Sequence, residues 1–299
     1  MDPVVATVGT FDGVHRGHRF LINQVKEVAG RLGLASMVVS FRRPPILVLK
    51  PKLSPSFLTT VEEKVYRLEQ TGISRVELLD FDEGMAMLSA EQFIVDVLHR
   101  ELNVSHLIVG HDHRFGHNRK DGFEDYQHYA KSVGMQVELA TVLSLGNAEL
   151  CSSTIRRLLQ QGQLAEANEM LGYSYRISGK VVGGYRNGRL LGYPTANIEL
   201  SDPYKLLPPD GVYAVQVYLT DRQYKGMLYI GKRPTFDNGE SRSIEVNIFD
   251  LNENLYGSDI AVDLIARTRG DKKFDTMEGL AAQLHLDAVC CNRILAERG

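Results

Sequence analysis

Two histidines three residues apart, His15 and His18, close the run Gly9-Thr10-Phe11-Asp12-Gly13-Val14-His15-Arg16-Gly17-His18. On a helix that spacing puts both imidazoles on one side. The glycines ahead of them let backbone approach a ligand closely, and free amides at a helix start favour anions. As donors, two such rings can stabilise the charge that develops when pyrophosphate leaves. The bland alternatives are a pair of surface imidazoles or a metal site. No third ligand is evident nearby, and the strand–turn–helix context favours phosphate.

Four other stretches bear chemistry. Ser152-Ser153-Thr154-Ile155-Arg156-Arg157 places hydroxyls where they cap a helix, with an arginine one turn in that adds charge at the anion-attracting end. The run Gly110-His111-Asp112-His113-Arg114-Phe115-Gly116-His117-Asn118-Arg119 follows an apolar strand and is dense in donors; alone it reads equally well as a solvated loop. Gly188-Arg189-Leu190-Leu191-Gly192-Tyr193-Pro194-Thr195-Ala196-Asn197 sets Thr and Asn two apart in a loop, hard oxygens of the kind Mg²⁺ shares with phosphates. In Ser243–Ile248, Ile244, Val246 and Ile248 share one strand face and Glu245 and Asn247 the other. Glu245 then faces either solvent or a cleft, where it could take a proton from an attacking hydroxyl.

The elements that must position these groups change character along the chain. Up to about residue 172, short apolar runs (Val4–Val8, Met37–Phe41, His106–Gly110, Met135–Leu139) alternate with helical patterns. Leu21, Val25, Val28 and Leu32 mark one helix, and Ser89-Ala90-Glu91-Gln92 is a capping-box pattern opening another, Phe93 to Leu102. Strands alternating with helices predict βαβ units and a parallel sheet, with ligands beyond the carboxyl ends of its strands. From about Tyr173, five closely spaced strands (Tyr175–Val182, Val212–Thr220, Tyr224–Ile230, Ser243–Phe249, Ile260–Thr268) predict a small antiparallel sheet or barrel. A tail helix over Asp275–Arg298 follows, with Met277, Leu280, Leu284, Leu286, Val289 and Ile294 as its apolar stripe. The predicted domains are 1–172 and 173–299.

The first motif set resembles the HxGH nucleotidyltransferase superfamily, Ser153 to Arg156 standing as its S-x-x-R element. More narrowly, Gly9–His18, Gly110–Gly116 and Ser-Ser-Thr-Ile-Arg are similar to the FAD synthetase module of bacterial bifunctional riboflavin kinase/FAD synthetases. The resemblance implies a Rossmann-like domain in which His15 and His18 act on ATP phosphates. It groups Gly9, Phe11, Asp12, Gly17, Asp112, Ser153 and Arg156 around ATP, while FMN phosphate attacks the α-phosphorus. Residues 175–299 resemble riboflavin kinase through Gly188–Asn197, Gly211–Val215, Ile230–Phe236, Ser243–Ile248 and Arg269–Phe274. That implies a six-stranded Greek-key barrel with a terminal helix. Gly188, Arg189, Thr195 and Asn197 would lie with Mg-ATP, Thr195 and Asn197 as metal ligands. Glu245 would be the base on the riboflavin 5′-hydroxyl, and Arg269 would lie near the flavin. ATP, flavins and Mg²⁺ are the implied co-substrate, substrates and cofactor. Two positions depart from the family pattern: Pro44, in Phe41-Arg42-Arg43-Pro44-Pro45, stands where a histidine is usual, with Arg42 or Arg43 as compensating cations, and Tyr229 stands where asparagine is common. Two alternatives stand beside this reading. One is a nucleotidyltransferase for another phosphorylated small molecule; the other is a flavin-binding or regulatory protein that has lost turnover.

Bulk properties agree. The 299 residues suit two ordinary domains, and 43% hydrophobic residues suffice for two cores. A net charge of −3 makes no case for nucleic acid or anionic lipid partners. Three cysteines, Cys151, Cys290 and Cys291, suggest neither a disulfide framework nor a zinc site. With no signal-like or membrane-length apolar run, the expected location is cytoplasmic; small molecules are the expected partners and an oligomer stays open.

Overall fold

The computed structural model describes residues 2–111, 113–117, 120–141, 150–183, 191–220, 222–232 and 242–297. Asp112, Gly188 and Arg189 therefore lie outside the described residues. The chain divides into two compact units, Met1–Ser152 and Ser153–Gly299.

The first unit is built on five parallel strands. These are β1 (Val4–Val8), β2 (Ala35–Phe41), β3 (Arg75–Leu79), β4 (Val104–Val109) and β5 (Gln136–Leu139), in the order β3-β2-β1-β4-β5. β1 is buried at every position, as befits an unbroken apolar run covered on both faces. The strand order reverses at β1: the chain steps outward through β2 and β3, then returns to lay β4 on the other side of β1. Such a switch point opens a crevice at the carboxyl ends of the two strands. The Gly9–His18 run leaves β1 at that end, and the Gly110–His117 loop leaves β4 there.

Helix α1 (Arg16–Leu32) buries Ile22, Val25, Val28 and Ala29 and ends on Gly33, whose left-handed φ of 67° and amide bonds to Ala29 and Gly30 carbonyls stop it. Leu32, expected on the buried face, is 51% exposed, because the helix has already turned past the sheet. Two short helices, α2 (Pro45–Leu49) and α4 (Glu83–Met87), flank α3 (Val61–Glu69), which opens on a Thr60–Glu63 capping box. The Ser89–Gln92 box also forms and starts α5 (Ala90–Gln92). Beyond it, Phe93–Glu101 winds as a π-helix rather than the expected α-helix, with Leu102 N–H reaching the Val97 carbonyl. The buried residues Phe93, Ile94, Val97 and Leu98 lie four apart in pairs, a spacing that either winding keeps on one face. Strand β3 escapes a sequence reading because Arg75 and Glu77 interrupt its apolar pattern at a sheet edge. Helix α6 (Phe123–Ser132) precedes β5.

Helix α7 (Ser152–Gln160) starts on the last residue of the first unit, and α8 (Leu164–Leu171) follows it in the second. The Asn168 side chain of α8 donates to the Leu264 carbonyl at 3.0 Å and accepts the Tyr175 amide at 2.8 Å. Six antiparallel strands then close a barrel: β6 (Tyr175–Val182), β7 (Ala196–Leu200), β8 (Gly211–Leu219), β9 (Arg222–Lys232), β10 (Arg242–Ile248) and β11 (Asp259–Gly270), in the order β10-β7-β6-β11-β8-β9. Non-consecutive neighbours, β6 with β11 and β7 with β10, make it a Greek-key barrel. β7 lies in a stretch whose Pro-Thr-Ala-Asn reads as a turn. Two register shifts in β11, between Leu264 and Ala266 and between Arg267 and Arg269, let Arg269 rather than Arg267 face Val212.

The tail helix α9 (Met277–Ala296) covers β8 and β9 with a stripe that matches the expected one in part, Leu284 and Ile294 packing there. Asp287, Ala288, Cys291 and Leu295 are buried, whereas Met277, Leu286 and Val289 are 50%, 61% and 55% exposed. A sequence reading does not bury an aspartate, yet Asp287 goes inside because Arg269 meets it there. All three cysteines are free thiols, and burial pushes that of Cys291 up to about 12.

Gly179 on β6 tests how tightly the barrel closes. A Cβ there would lie 2.1 Å from the Glu199 carbonyl oxygen of β7. Gly179→Ala is expected to lower the unfolding free energy of the barrel by roughly 1–3 kcal/mol, in line with overpacked sites, and so to lower its denaturant midpoint. An unchanged midpoint in denaturant titration would show that the strands can part at no cost.

Candidate active sites

In the first unit, the loop between β1 and α1 is held in conformations that side chains rarely adopt: φ is 49° at Phe11, 81° at Gly13 and 37° at Val14. A β-branched residue at positive φ is strained, and such strain persists only where surrounding bonds over-determine it. Asp12 supplies those bonds. Its Oδ1 accepts the Leu58 amide at 2.8 Å and the Thr59 amide at 3.1 Å, and the Thr59 hydroxyl accepts the Gly13 amide at 3.1 Å. The Ser152 hydroxyl donates to the Asp12 carbonyl at 2.9 Å. Asp12, grouped with ATP from the sequence, thus clamps the loop with one carboxylate oxygen.

The loop delivers His15 and His18 together. Their rings stack 3.6 Å apart and 20° from parallel, and Phe11 meets His18 edge-on at 5.1 Å. His15 is the N-cap of α1, its Nδ1 accepting the His18 amide at 3.4 Å. A neutral His15 therefore carries its proton on Nε2 and is a donor at that edge. Gly17 makes room for this ring: a Cβ there would sit 3.2 Å from His15 Nδ1. Gly9 lies likewise against the Phe11 ring, 3.0 Å from a would-be Cβ. His18 Nδ1 is shut off from solvent with no hydrogen-bond partner among the described residues. Burial, and then the neighbouring His15 charge, hold the His18 pKa well below its usual 6.5. Of the first-unit residues expected at the site, the structure brings Gly9, Phe11, Asp12, His15, Gly17 and His18 into one turn. Ser153 and Arg156 share a face of α7 in the second unit.

The end of β2 holds a residue the sequence reading missed. Lys64 of α3 is 5% exposed, and its ammonium donates to the Phe41 carbonyl at 2.7 Å. Burial lowers its pKa to about 8. A lysine on an amphipathic helix carries no sequence signal for burial. Next to it, Pro44 caps α2 and Pro45 begins it. Arg42, read as a compensating cation, is exposed and paired with Asp80 at 3.2 Å.

In the second unit, strand register assembles the other site. Asn197 of β7 lies opposite Glu245 of β10, Glu245 opposite Tyr229 of β9, Tyr229 opposite Val212 of β8, and Val212 opposite Arg269 of β11. Directly opposed residues point to the same side of a sheet, so these five form one row across the outer face of the barrel. Val212 is covered by α9. The Thr195 hydroxyl donates to Glu245 Oε2 at 3.3 Å, and the Asn247 amide holds the Thr195 loop through the Pro194 carbonyl at 2.7 Å. Arg269 grips Asp287 of α9 with Nε at 2.9 Å and Nη2 at 2.7 Å. The Tyr193 hydroxyl meets His285 Nδ1 of α9 at 3.3 Å. Thr195 and Asn197, named from one stretch of sequence, thus meet Glu245, named from another, while Arg269 stands farther along the row; Glu245 is half-buried.

The FAD synthetase family matches residues 1–154, and the riboflavin kinase family matches residues 171–295. Proteins named bifunctional riboflavin kinase/FMN adenylyltransferase are similar over nearly the whole chain: 36% identity to that of Escherichia coli K12 and 34% to that of Listeria monocytogenes, each over 95% of this chain and 90% of the relative. The chain belongs to this family of bifunctional enzymes. A solved structure titled macrolide-efflux protein, from Streptococcus pneumoniae, superposes with a TM-score of 0.88 at 32% identity over 97% of this chain and 94% of its own. That title describes the other protein. Among the residues described here, no helix is long and apolar enough to cross a membrane. Within the bifunctional family, the two matched regions coincide with the two clusters just described, one in each.

The depressed His18 pKa has a readable consequence. The stability it links to is complete above pH 6.5, where folded and unfolded rings are both neutral, and is lost as pH falls below 6.5, where only the unfolded ring protonates. In an NMR titration of the histidine rings, His18 is expected to stay neutral at pH 6.5 and to protonate only well below it. A midpoint at or above 6.5 would overturn the buried placement of this ring.

Proposed function

We propose that this chain makes FAD from riboflavin in two steps, with the barrel row as the kinase centre and the His15–His18 turn as the adenylyl-transfer centre. The observation that carries the reading is the local pairing on the outer face of β7 and β10: the Thr195 hydroxyl bonds to Glu245, and Asn197 lies opposite Glu245 on the neighbouring strand. Residues 1–172 are assigned to adenylyl transfer and 173–299 to the kinase.

In the kinase step, Glu245 takes the proton of the riboflavin 5′-hydroxyl as that oxygen attacks the γ-phosphorus of ATP; the bond to ADP breaks and FMN forms. The Thr195 hydrogen bond holds the carboxylate in place. Arg269, fixed by Asp287, borders the flavin. Thr195 and Asn197 offer two hard oxygens, and no cluster of three acidic, histidine or cysteine side chains stands ready for a metal among the described residues. That donor set fits Mg²⁺, which is held by one or two protein oxygens together with substrate phosphates. Bound there, it would neutralise phosphate charge.

In the transfer step, an FMN phosphate oxygen attacks the α-phosphorus of ATP and the bond to pyrophosphate breaks. No side chain needs to form a covalent intermediate; the site has to align the reactants and stabilise charge. His15 donates from Nε2, its other nitrogen being spent on the helix cap, and the α1 amides add their positive end. Gly9, Phe11 and Gly17 shape the turn. ATP and flavins are the substrates that both activities require.

Incubation with riboflavin, ATP and Mg²⁺, followed by chromatography, should show FMN before FAD. His15→Ala or His18→Ala is expected to lower FAD formation by about 10²–10³ with FMN formation intact. Glu245→Gln should lower FMN formation by about 10²–10⁴ and spare conversion of supplied FMN to FAD. Wild-type FAD synthesis in both histidine variants would remove the transfer role, and wild-type kinase turnover in Glu245→Gln would remove the base. Thr195→Ala and Asn197→Ala should each raise the Mg²⁺ concentration needed for half-maximal kinase rate. An unshifted magnesium titration would move the metal away from these residues.

A further inference from the structure

The middle of the barrel row is occupied by a residue that neither step uses. Tyr229 stands between Glu245 and Val212, so it lies on the path from the proposed base to Arg269. Its ring does not stand up from the strand but runs along it. A Cβ on Gly231, two residues on and on the same face, would lie 2.1 Å from the Tyr229 hydroxyl oxygen, so only glycine leaves that course open. The hydroxyl ends on Asp271, donating to Oδ1 at 3.0 Å. Tyr229 is half-buried, whereas Asp271 is exposed.

Asp271 begins the segment that joins β11 to α9. Upstream, Arg269 is locked to Asp287. Downstream, the Phe274 ring lies under the Arg269 guanidinium at 5.9 Å and the Lys272 ammonium at 5.4 Å, and the Thr276 hydroxyl caps α9 by accepting the Gly279 amide at 3.1 Å. Arg269 and Thr276 thus fix the two ends of this stretch. The Tyr229 hydrogen bond ties its start to the barrel wall beside Glu245.

We propose that Tyr229 is a positioning residue for the flavin in the kinase reaction: through its bond to Asp271 it holds the 271–274 segment against the barrel wall beside Glu245. This rests on the assignment of the barrel row as the kinase centre. The phenol stays protonated throughout the working range, since burial first, and the Asp271 bond next, push its pKa up to about 12. The latch is therefore a donor at every pH at which the enzyme turns over, and it takes no proton from substrate.

The two nucleotide-side residues, Thr195 and Asn197, lie on the far side of Glu245 from Tyr229 in the row and its loop. Loss of the latch should therefore be felt by riboflavin and not by ATP. In the full-length protein, Tyr229→Phe is expected to raise the riboflavin KM of the kinase step by about 2–10-fold, the worth of one ordinary hydrogen bond. kcat should stay within about twofold and the ATP KM should not move. Conversion of supplied FMN to FAD by the same preparation should be unchanged, which reports an intact chain. Asp271→Ala should reproduce Tyr229→Phe, and Asp271→Asn, which keeps the acceptor oxygen, should restore the wild-type KM. An unchanged riboflavin KM in Tyr229→Phe, an equal rise in both KM values, or an Asp271→Asn as impaired as Asp271→Ala would each overturn the latch. Glu245→Gln assayed alongside separates the two levels: if it is inactive while Tyr229→Phe is normal, the latch alone fails; if it is fully active, the kinase centre beneath it fails too.

Discussion

Backbone hydrogen bonds between strands decide which side chains stand beside one another, and both sites rest on that constraint. A slip of one residue turns every side chain to the opposite face. In the barrel, the row from Asn197 through Glu245, Tyr229 and Val212 to Arg269 exists only because five strands hold their registers together. The two irregularities in β11 are part of this arrangement. They advance the strand by the residues needed to bring Arg269, not Arg267, opposite Val212, and Arg267 instead donates to the Asp210 carbonyl at 2.7 Å. In the first unit the same kind of constraint works through topology. Parallel pairing of β1 with β4 sends both donor-rich loops out at one end of the sheet.

Charges buried near these rows are retained because each has a specific partner. Asp287 is 4% exposed and meets a bidentate arginine. Such a pair adds little net stability over an apolar replacement, but removing one partner typically costs about 3–5 kcal/mol because the other charge is left stranded. The pair therefore serves as a geometric stop, fixing Arg269 and α9 to each other. Lys64 is a similar case, an ammonium held indoors by a backbone carbonyl at the end of β2. The histidine pair follows the opposite logic. Burial keeps His18 neutral, so the turn offers hydrogen-bond donors rather than a fixed charge.

The two departures from the family pattern have different physical meanings. Pro44 removes a donor and gains a local task, starting α2 with a fixed φ ahead of Pro45. No cation takes over the missing position from Arg42, which is engaged with Asp80 at the surface. Tyr229 instead adds reach. An asparagine there could not extend across Gly231 to Asp271, so the substitution joins β9 to the segment after β11, which a shorter side chain would leave separate.

Much of this protein was legible in its sequence because local chemistry carries the signal. The β1 apolar run, the His15–His18 spacing, the Thr195–Asn197 pair and the alternation around Glu245 each announce themselves within about ten residues, and strand–helix alternation giving way to close strands announced two folds. What sequence could not reach were properties that depend on partners distant along the chain. β3 and β7 were hidden because edge position and barrel closure, not local pattern, make them strands. Of the stripe expected on α9, Leu284 and Ile294 do pack, but Asp287 was beyond reach because it is made buriable by an arginine eighteen residues away. Asp12 as a loop clamp, Lys64 as a buried cation and the Tyr229–Asp271 bond all need a second segment, 46, 23 and 42 residues distant, to be brought alongside. The sequence determined which groups were available for phosphate chemistry; the tertiary structure decided which of them face one another, because register and burial are set by hydrogen bonds and packing between segments that no local pattern records.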